Sequence, residues 1–192
     1  MVKSVCVYCS SSDILEESYR EAAGEFAEAA SSLGFRVICG GSSKGLMGVI
    51  IDKMNQRGGI IEGVMPFFMK DLEFYHPGLK NIQYVNSISE RKEMLRKGSD
   101  AVVALPGGVG TLEEFLETFT LKRLGLYDGV TALLNINGFY QELITLFEKY
   151  EREGFLGKSW RETLKVAGSV KELTDIIMKS TPERLAPCGY LP

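Results

Sequence analysis

Few of the residues that announce common chemistries are present. The 192-residue chain has one histidine, His76, and four cysteines: Cys6, Cys9, Cys39 and Cys188. Cys6-x-x-Cys9 has redox or zinc spacing, but no second pair completes a tetrahedral set and His76 is not at ligand spacing from it. Buried free thiols are expected, with no metal and no cofactor. Strong charge is also missing: the net charge is -3 and no basic stripe runs along the chain, which argues against a nucleic-acid polymer as partner. Long apolar runs are absent, since stretches such as Ala101 to Leu105 are far too short to span a bilayer. Met1-Val2-Lys3-Ser4 leads straight into a strand pattern, so no membrane association and a cytoplasmic location are expected. Half of the six prolines, Pro182, Pro187 and Pro192, lie at the C-terminus and suggest an extended tail over 181–192. Residues 1–180 are expected to form a single nucleotide-binding domain.

What is present is alternation. Val5 to Tyr8 reads as a strand, and Tyr19, Ala22, Ala23, Phe26, Ala29, Ala30 and Leu33 fall at helical spacing. Val37 to Cys39, a helix from about Leu46 to Gln56, and Ile60 to Val64 repeat the scheme. Phe67 to Pro77 is irregular. Strands over Ile82 to Val85, Ala101 to Leu105 and Val130 to Ile136 then alternate with helices near 89–97, 112–124 and 140–153, and a last helix covers 170–178. Strands without polar alternation are buried on both faces. The expected fold class is therefore α/β, a Rossmann-like doubly wound parallel sheet with helices on both faces. Ligands of such sheets sit beyond the strand C-termini, which singles out the loops Tyr8 to Ser12, Gly40 to Gly48 and Pro106 to Thr111.

The last of these carries the clearest chemistry. In Pro106-Gly107-Gly108-Val109-Gly110-Thr111-Leu112-Glu113-Glu114, glycines join a buried strand to a helix bearing Leu112, Phe115, Leu116 and Phe119 on one face. Glycine lets a phosphate approach the amides, and the helix N-terminus adds unpaired N–H donors and partial positive charge. The bland alternative is a tight strand-to-helix turn. Glu114 also has two readings: a carboxylate beside bound phosphoribose suits water activation or oxocarbenium stabilisation, but Thr111-x-x-Glu114 is equally a capping box.

Ser87-Ile88-Ser89-Glu90-Arg91-Lys92-Glu93-Met94 begins another helix with a serine cap and an acid. Arg91 and Lys92 oppose the helix dipole there, so either an anion lies nearby or the face is simply solvated. Arginine's planar fork makes Arg91 the better candidate for phosphate or ribose recognition. Gly40-Gly41-Ser42-Ser43-Lys44-Gly45-Leu46-Met47-Gly48 is neither a Walker A loop nor a dinucleotide fingerprint, which favours a mononucleotide; Gly40, Gly41, Gly45 and, from the neighbouring motif, Met94 are loop candidates. Glu73 and His76, in the irregular segment, read alone as surface residues.

Together, Cys6 to Ser12, Gly40-Gly41 through Gly45-Leu46-Met47-Gly48, Glu73-x-x-His76, Glu90-Arg91-Lys92 and Pro106-Gly107-Gly108-x-Gly110-Thr111-x-x-Glu114 closely resemble the LONELY GUY family over about residues 2–155. The pairing of the Arg-Lys motif with the glycine turn is the specific part. The resemblance implies a Rossmann-fold homodimer that hydrolyses cytokinin riboside 5′-monophosphates, N6-modified AMP and sometimes AMP, to free base and ribose 5-phosphate. It implies Arg91 and Glu114 as the catalytic pair. Gly107, Gly108, Val109, Gly110 and Thr111 fall on the phosphate loop, and Glu73, Lys92 and Thr120 on further substrate contacts. The chain departs from many relatives at Ser10, Ser42 and Ser89. The label lysine decarboxylase, long attached to the family, does not fit, because such chemistry asks for a Schiff-base lysine in a suitable pocket. The alternative function is a non-catalytic nucleotide or cofactor carrier of the same fold.

Overall fold

The computed structural model describes residues 3–70 and 75–183. Its short apolar runs become seven parallel strands: β1 (Ser4–Tyr8), β2 (Arg36–Cys39), β3 (Ile60–Pro66), β4 (Ile82–Val85), β5 (Ala101–Ala104), β6 (Val130–Leu134) and β7 (Leu164–Ala167). They pair in the order β4-β3-β2-β1-β5-β6-β7. Side chains of alternate residues on each strand feed two separate cores. Val5, Val7, Val37, Cys39, Val103 and Leu134 pack on one side with α1 (Glu17–Ser32), α2 (Gly45–Gln56) and α8 (Val170–Lys179). On the other side Cys6, Tyr8, Ile38, Val102 and Leu133 meet α4 (Ile88–Arg96), α5 (Val109–Arg123), α6 (Gln141–Arg152) and the short α7 (Trp160–Thr163). The doubly wound parallel sheet expected from the alternation is the observed fold.

Three local differences have physical reasons. β7 was not expected: it is a four-residue edge strand whose Lys165 is exposed, too short and too mixed to stand out as an apolar run. β6 stops at Leu134, not Ile136, because Asn135 turns the chain, its Oδ1 accepting from the Tyr140 amide at 2.7 Å, and Asn137 adopts φ 54°. Most relevant to the site, α5 begins at Val109 with Gly108 as N-cap, three residues before the expected start at Leu112.

That earlier start rotates the meaning of α5. Phe115, Thr118, Phe119 and Lys122 face the core, and fully burying each phenylalanine contributes about 1.5–3 kcal/mol. Leu112 and Leu116, expected on that same face, are only half-buried and stand beside exposed Val109. The helix is thus apolar on two sides. At the C-terminus, the segment after α8 is pinned where described: Lys3 Nζ donates to the Ser180 carbonyl at 2.7 Å, and buried Lys122 donates to those of Asp128 and Glu183 at 3.0 and 2.7 Å. The rest of the expected tail, 184–192, lies outside the described residues, Cys188 included. No helix among the described residues is long and apolar enough to cross a membrane.

Candidate active site

The chain winds outward from β1 through β2, β3 and β4, then crosses back to lay β5 on the other side of β1. This crossing is the topological switch point, where the loops after β1 and β5 diverge and leave a crevice. A cavity of about 480 Å³ opens there, walled by Cys9 to Ser12, by Gly40, Ser42, Lys44 and Met47, and by Gly108, Gly110, Thr111 and Glu114, with Arg91 reaching in from α4. All three loops singled out in the sequence contribute. Met65, at the end of β3, and Met69, in α3 (Phe67–Lys70), complete the lining and were not anticipated. The same strand-end rule, applied to β3, points to Met65.

The loops are locked together by backbone hydrogen bonds. Ser10 N donates to the Pro106 carbonyl at 3.1 Å, while Leu46 N and Met47 N donate to the Ser10 carbonyl at 2.9 and 3.3 Å. Asp13 Oδ1 accepts from Gly45 N at 2.9 Å, so the α2 terminus is already satisfied. Gly45 (φ +62°) lies so close to Ser10, Ser11 and Ser12 that a β-carbon would strike their backbone. Gly41, also at positive φ, accepts from His76 N at 2.8 Å and packs on Leu79 and Met65.

The α5 terminus differs. Among the described residues, the amides of Gly108, Val109, Gly110 and Thr111 have no hydrogen-bond partner. Gly107 is glycine for packing, since a β-carbon would collide with Thr111 Oγ1. Gly108 and Gly110 are not: neither has positive φ, and a β-carbon at either would meet nothing. A tight turn therefore explains Gly107 alone. What glycine leaves at 108 and 110 is open access to four unpaired amides at the positive end of a 15-residue helix, a cradle for an anion.

Arg91 and Glu114 face this cradle. Arg91 Nε donates to the Val64 carbonyl at 3.0 Å and Nη1 donates to Glu114 Oε1 at 2.6 Å, both side chains being 15% exposed. The capping-box alternative for Glu114 is excluded, because Thr111 is not the N-cap and the carboxylate turns to Arg91. The same spacing does cap elsewhere: Ser87 accepts from Glu90 N and Ser169 from Glu172 N, with both glutamates reaching back to the amides before the caps. Burial pushes the Glu114 carboxyl above its ordinary range and the Glu113 charge adds to this, while Arg91 pulls it back without cancelling the rise. A carboxylate with raised proton affinity, oriented by an arginine and opposite an anion cradle, is equipped for acid–base work on a phosphorylated ligand. The Cys9 thiol in the wall is held protonated by burial, which removes it as a nucleophile.

Other candidates lie apart. Lys92 is engaged by Glu113 at 2.5 Å and by Glu117, and Arg96 by Glu117 at 2.8 Å, a charge network tying α4 to α5. Thr120 is exposed, its hydroxyl donating to the Leu116 carbonyl at 2.8 Å. Val109 points outward at 86% exposure, and Met94 borders a second cavity with Glu62, Lys80 and Gln83. Glu73 lies outside the described residues. His76 is buried behind the loop, its Nδ1 accepting from Gly78 N at 3.0 Å and its Nε2 3.1 Å from Asp52 Oδ1. Cys6 and Cys9 belong to opposite faces of the sheet, and Cys6, Cys9 and Cys39 are free and buried as expected.

Known proteins share this chain's sequence and fold. The family model described as possible lysine decarboxylase matches residues 47–177. The cytokinin riboside 5′-monophosphate phosphoribohydrolase LOG3 of Arabidopsis thaliana is 34% identical over 97% of this chain and 84% of its own length. LOG1 of the same plant is 37% identical over 89% of this chain and 80% of its own. Among solved structures, the molybdenum cofactor binding protein of Rippkaea orientalis superposes with a TM-score of 0.71 at 16% identity over 93% of this chain and 96% of its own. The protein TM1055 superposes with a TM-score of 0.70 at 21% identity over 93% and 100%. Those two likenesses show the shared fold, and the identity to the plant proteins together with the family match shows the family: the chain belongs to the LONELY GUY family.

Proposed function

We propose that the chain hydrolyses the N-glycosidic bond of a nucleoside 5′-monophosphate, N6-modified AMP or AMP, releasing free base and ribose 5-phosphate. The observation that carries this reading is the Arg91–Glu114 pair standing in one cavity with the unpartnered α5 amides. The 5′-phosphate docks on the amides of Gly108 to Thr111 and uses remote binding to position C1′. Arg91 orients the phosphoribosyl unit and keeps Glu114 aimed. As the bond from C1′ to the base breaks and its electron pair leaves on the base nitrogen, ionised Glu114 stabilises the positive charge at C1′ or takes a proton from the water whose oxygen bonds to C1′; the base nitrogen takes up one proton for the one water gives, so free base and ribose 5-phosphate result. His76 has no part in this step, since both ring nitrogens are engaged away from the cavity.

The description possible lysine decarboxylase names another chemistry, and the curated relatives are hydrolases by name. The cavity's lysine, Lys44, is exposed rather than enclosed in the apolar surroundings that activate a Schiff-base amine. A carrier of the same fold would bind without turnover. Chromatography of AMP and N6-isopentenyl-AMP after incubation with wild type and Glu114→Gln decides between them: base release by wild type alone supports the hydrolase, and intact nucleotide despite binding supports the carrier.

The second apolar side of α5, formed by Val109, Leu112, Leu116 and Leu121 with Thr120 among them, supports a homodimer joined through that face. Lys92 borders the same side through Glu113 and Glu117, so the substrate contacts implied for Lys92 and Thr120 are made near the dimer seam. A cytoplasmic location is supported by the three free, buried thiols.

A further inference from the structure

The hydrolase reading leaves the ligand's charge unbalanced. A phosphate monoester carries close to two negative charges at neutral pH. Arg91, the buried cation of the cavity, is committed to Glu114 at 2.6 Å. Among the described residues one other cation lines the cavity, Lys44, and it has no carboxylate partner there.

Its position is costly without a ligand. Lys44 is the N-cap of the twelve-residue α2, makes no side-chain capping bond and places a cation against the positive end of the helix dipole. The capping is done instead by Asp13, on the Gly45 amide. The backbone around Lys44 is fixed: its amide donates to Ser42 Oγ at 3.2 Å and its carbonyl accepts from Gly48 N at 3.1 Å, while Gly45 and Gly48 fit only because they lack β-carbons. The exposed lysine side chain is therefore a mobile arm on a rigid base at the mouth of the cavity.

The geometry points to Lys44 as the counter-cation of the 5′-phosphate and hence as a residue that selects nucleoside monophosphates over unphosphorylated nucleosides. The inference rests on the hydrolase reading only in sharing its phosphate position. Isothermal titration of ribose 5-phosphate, AMP and adenosine into wild type, Lys44→Gln, Lys44→Arg and the control Lys80→Gln, which lies at the other cavity, tests it. Lys44→Gln is expected to weaken ribose 5-phosphate and AMP by about tenfold or more, to flatten the salt dependence of their binding and to spare adenosine. Lys44→Arg should recover most of the loss and Lys80→Gln should change nothing. With AMP as substrate, the loss should fall mainly on KM. Wild-type affinity of Lys44→Gln for ribose 5-phosphate, or an equal loss for adenosine, overturns the assignment. Lys44-dependent binding of AMP without turnover would sink the hydrolase reading and leave this one standing; no binding of either phosphate by wild type overturns both.

Discussion

Gly40 and Arg91 compete for the same space: the β-carbon that any other residue would carry at position 40 falls on Arg91 Nη2. Gly40 does not have positive φ, so the backbone does not need glycine there. The guanidinium is held in place, because Val64 and Glu114 take its other nitrogens, and Met47 also crowds the same β-carbon position at 3.2 Å. Gly40→Ala should therefore displace Arg91 and cost roughly 100-fold in kcat/KM for AMP. A variant that keeps wild-type kinetics would show that the arginine's placement does not matter to turnover.

Glu114 is expected to set the acid limb of activity. Its carboxyl lies above the ordinary range through burial and Glu113, so the active, ionised form appears only as pH rises past that elevated value. Glu113→Gln removes one cause of the rise and should move the acid limb of kcat/KM to lower pH, whereas Arg91→Met removes the main opposing charge and should move it upward. Glu114→Gln should lower kcat by about 10²- to 10⁴-fold. A pH–rate profile of Glu113→Gln that coincides with wild type contradicts the assignment.

Stability follows the same sign. A carboxyl whose folded pKa is raised binds its proton more tightly in the fold, so its contribution is complete below the unfolded pKa and is lost as pH climbs through the folded one. Glu114→Gln should thus leave the thermal midpoint at pH 7 unchanged or raised. Arg91→Met strands a buried carboxylate and should lower the midpoint, with a deficit that shrinks on acidification. Differential scanning calorimetry of both variants at pH 4.5 and 7 checks the pair of signs.

The sheet was legible because parallel strands buried on both faces leave uninterrupted apolar runs, and the switch-point rule then located the cavity before any distance was known. β7 escaped for want of length at an edge. Glu114 could not be read from spacing, because Ser87-x-x-Glu90, Ser169-x-x-Glu172 and Thr111-x-x-Glu114 look alike as strings, and only the helix start at Val109 separates the carboxylate that caps from the one that pairs with Arg91. Lys92 looked like Arg91's companion, but one residue along a helix is a 100° rotation, enough to send it to Glu113 and Glu117 instead. Met65 and Met69 carried no polar signature and were visible only as geometry.

The glycines of the turn should separate by assay. Gly107→Ala forces a β-carbon into Thr111 and should destabilise the fold by about 1–3 kcal/mol in urea titration. Gly110→Ala meets open space in the first turn of α5 and should be neutral or stabilising by up to about 1 kcal/mol, yet it partly covers the amides and should weaken ribose 5-phosphate binding. If Gly110→Ala binds as wild type, the amides are not the cradle.

The outer side of α5 offers the last test. Leu112 and Leu116 are half-buried, Val109 is 86% exposed, and all three share a face with Glu113 and Glu117, Leu116 also packing against the core at its inner edge. An apolar stripe of this kind on a helix that already has a core face needs a partner, and a copy of the same stripe related by a two-fold axis is self-complementary. Leu112→Glu should leave the fold intact, because the side chain it replaces is not packed against either core, but should convert a dimer to a monomer in light scattering. Val109 lies between two amides of the cradle, so loss of the dimer should also loosen that turn and raise KM for AMP several-fold. A monomeric wild type, or a Leu112→Glu variant that stays dimeric, assigns the stripe another role.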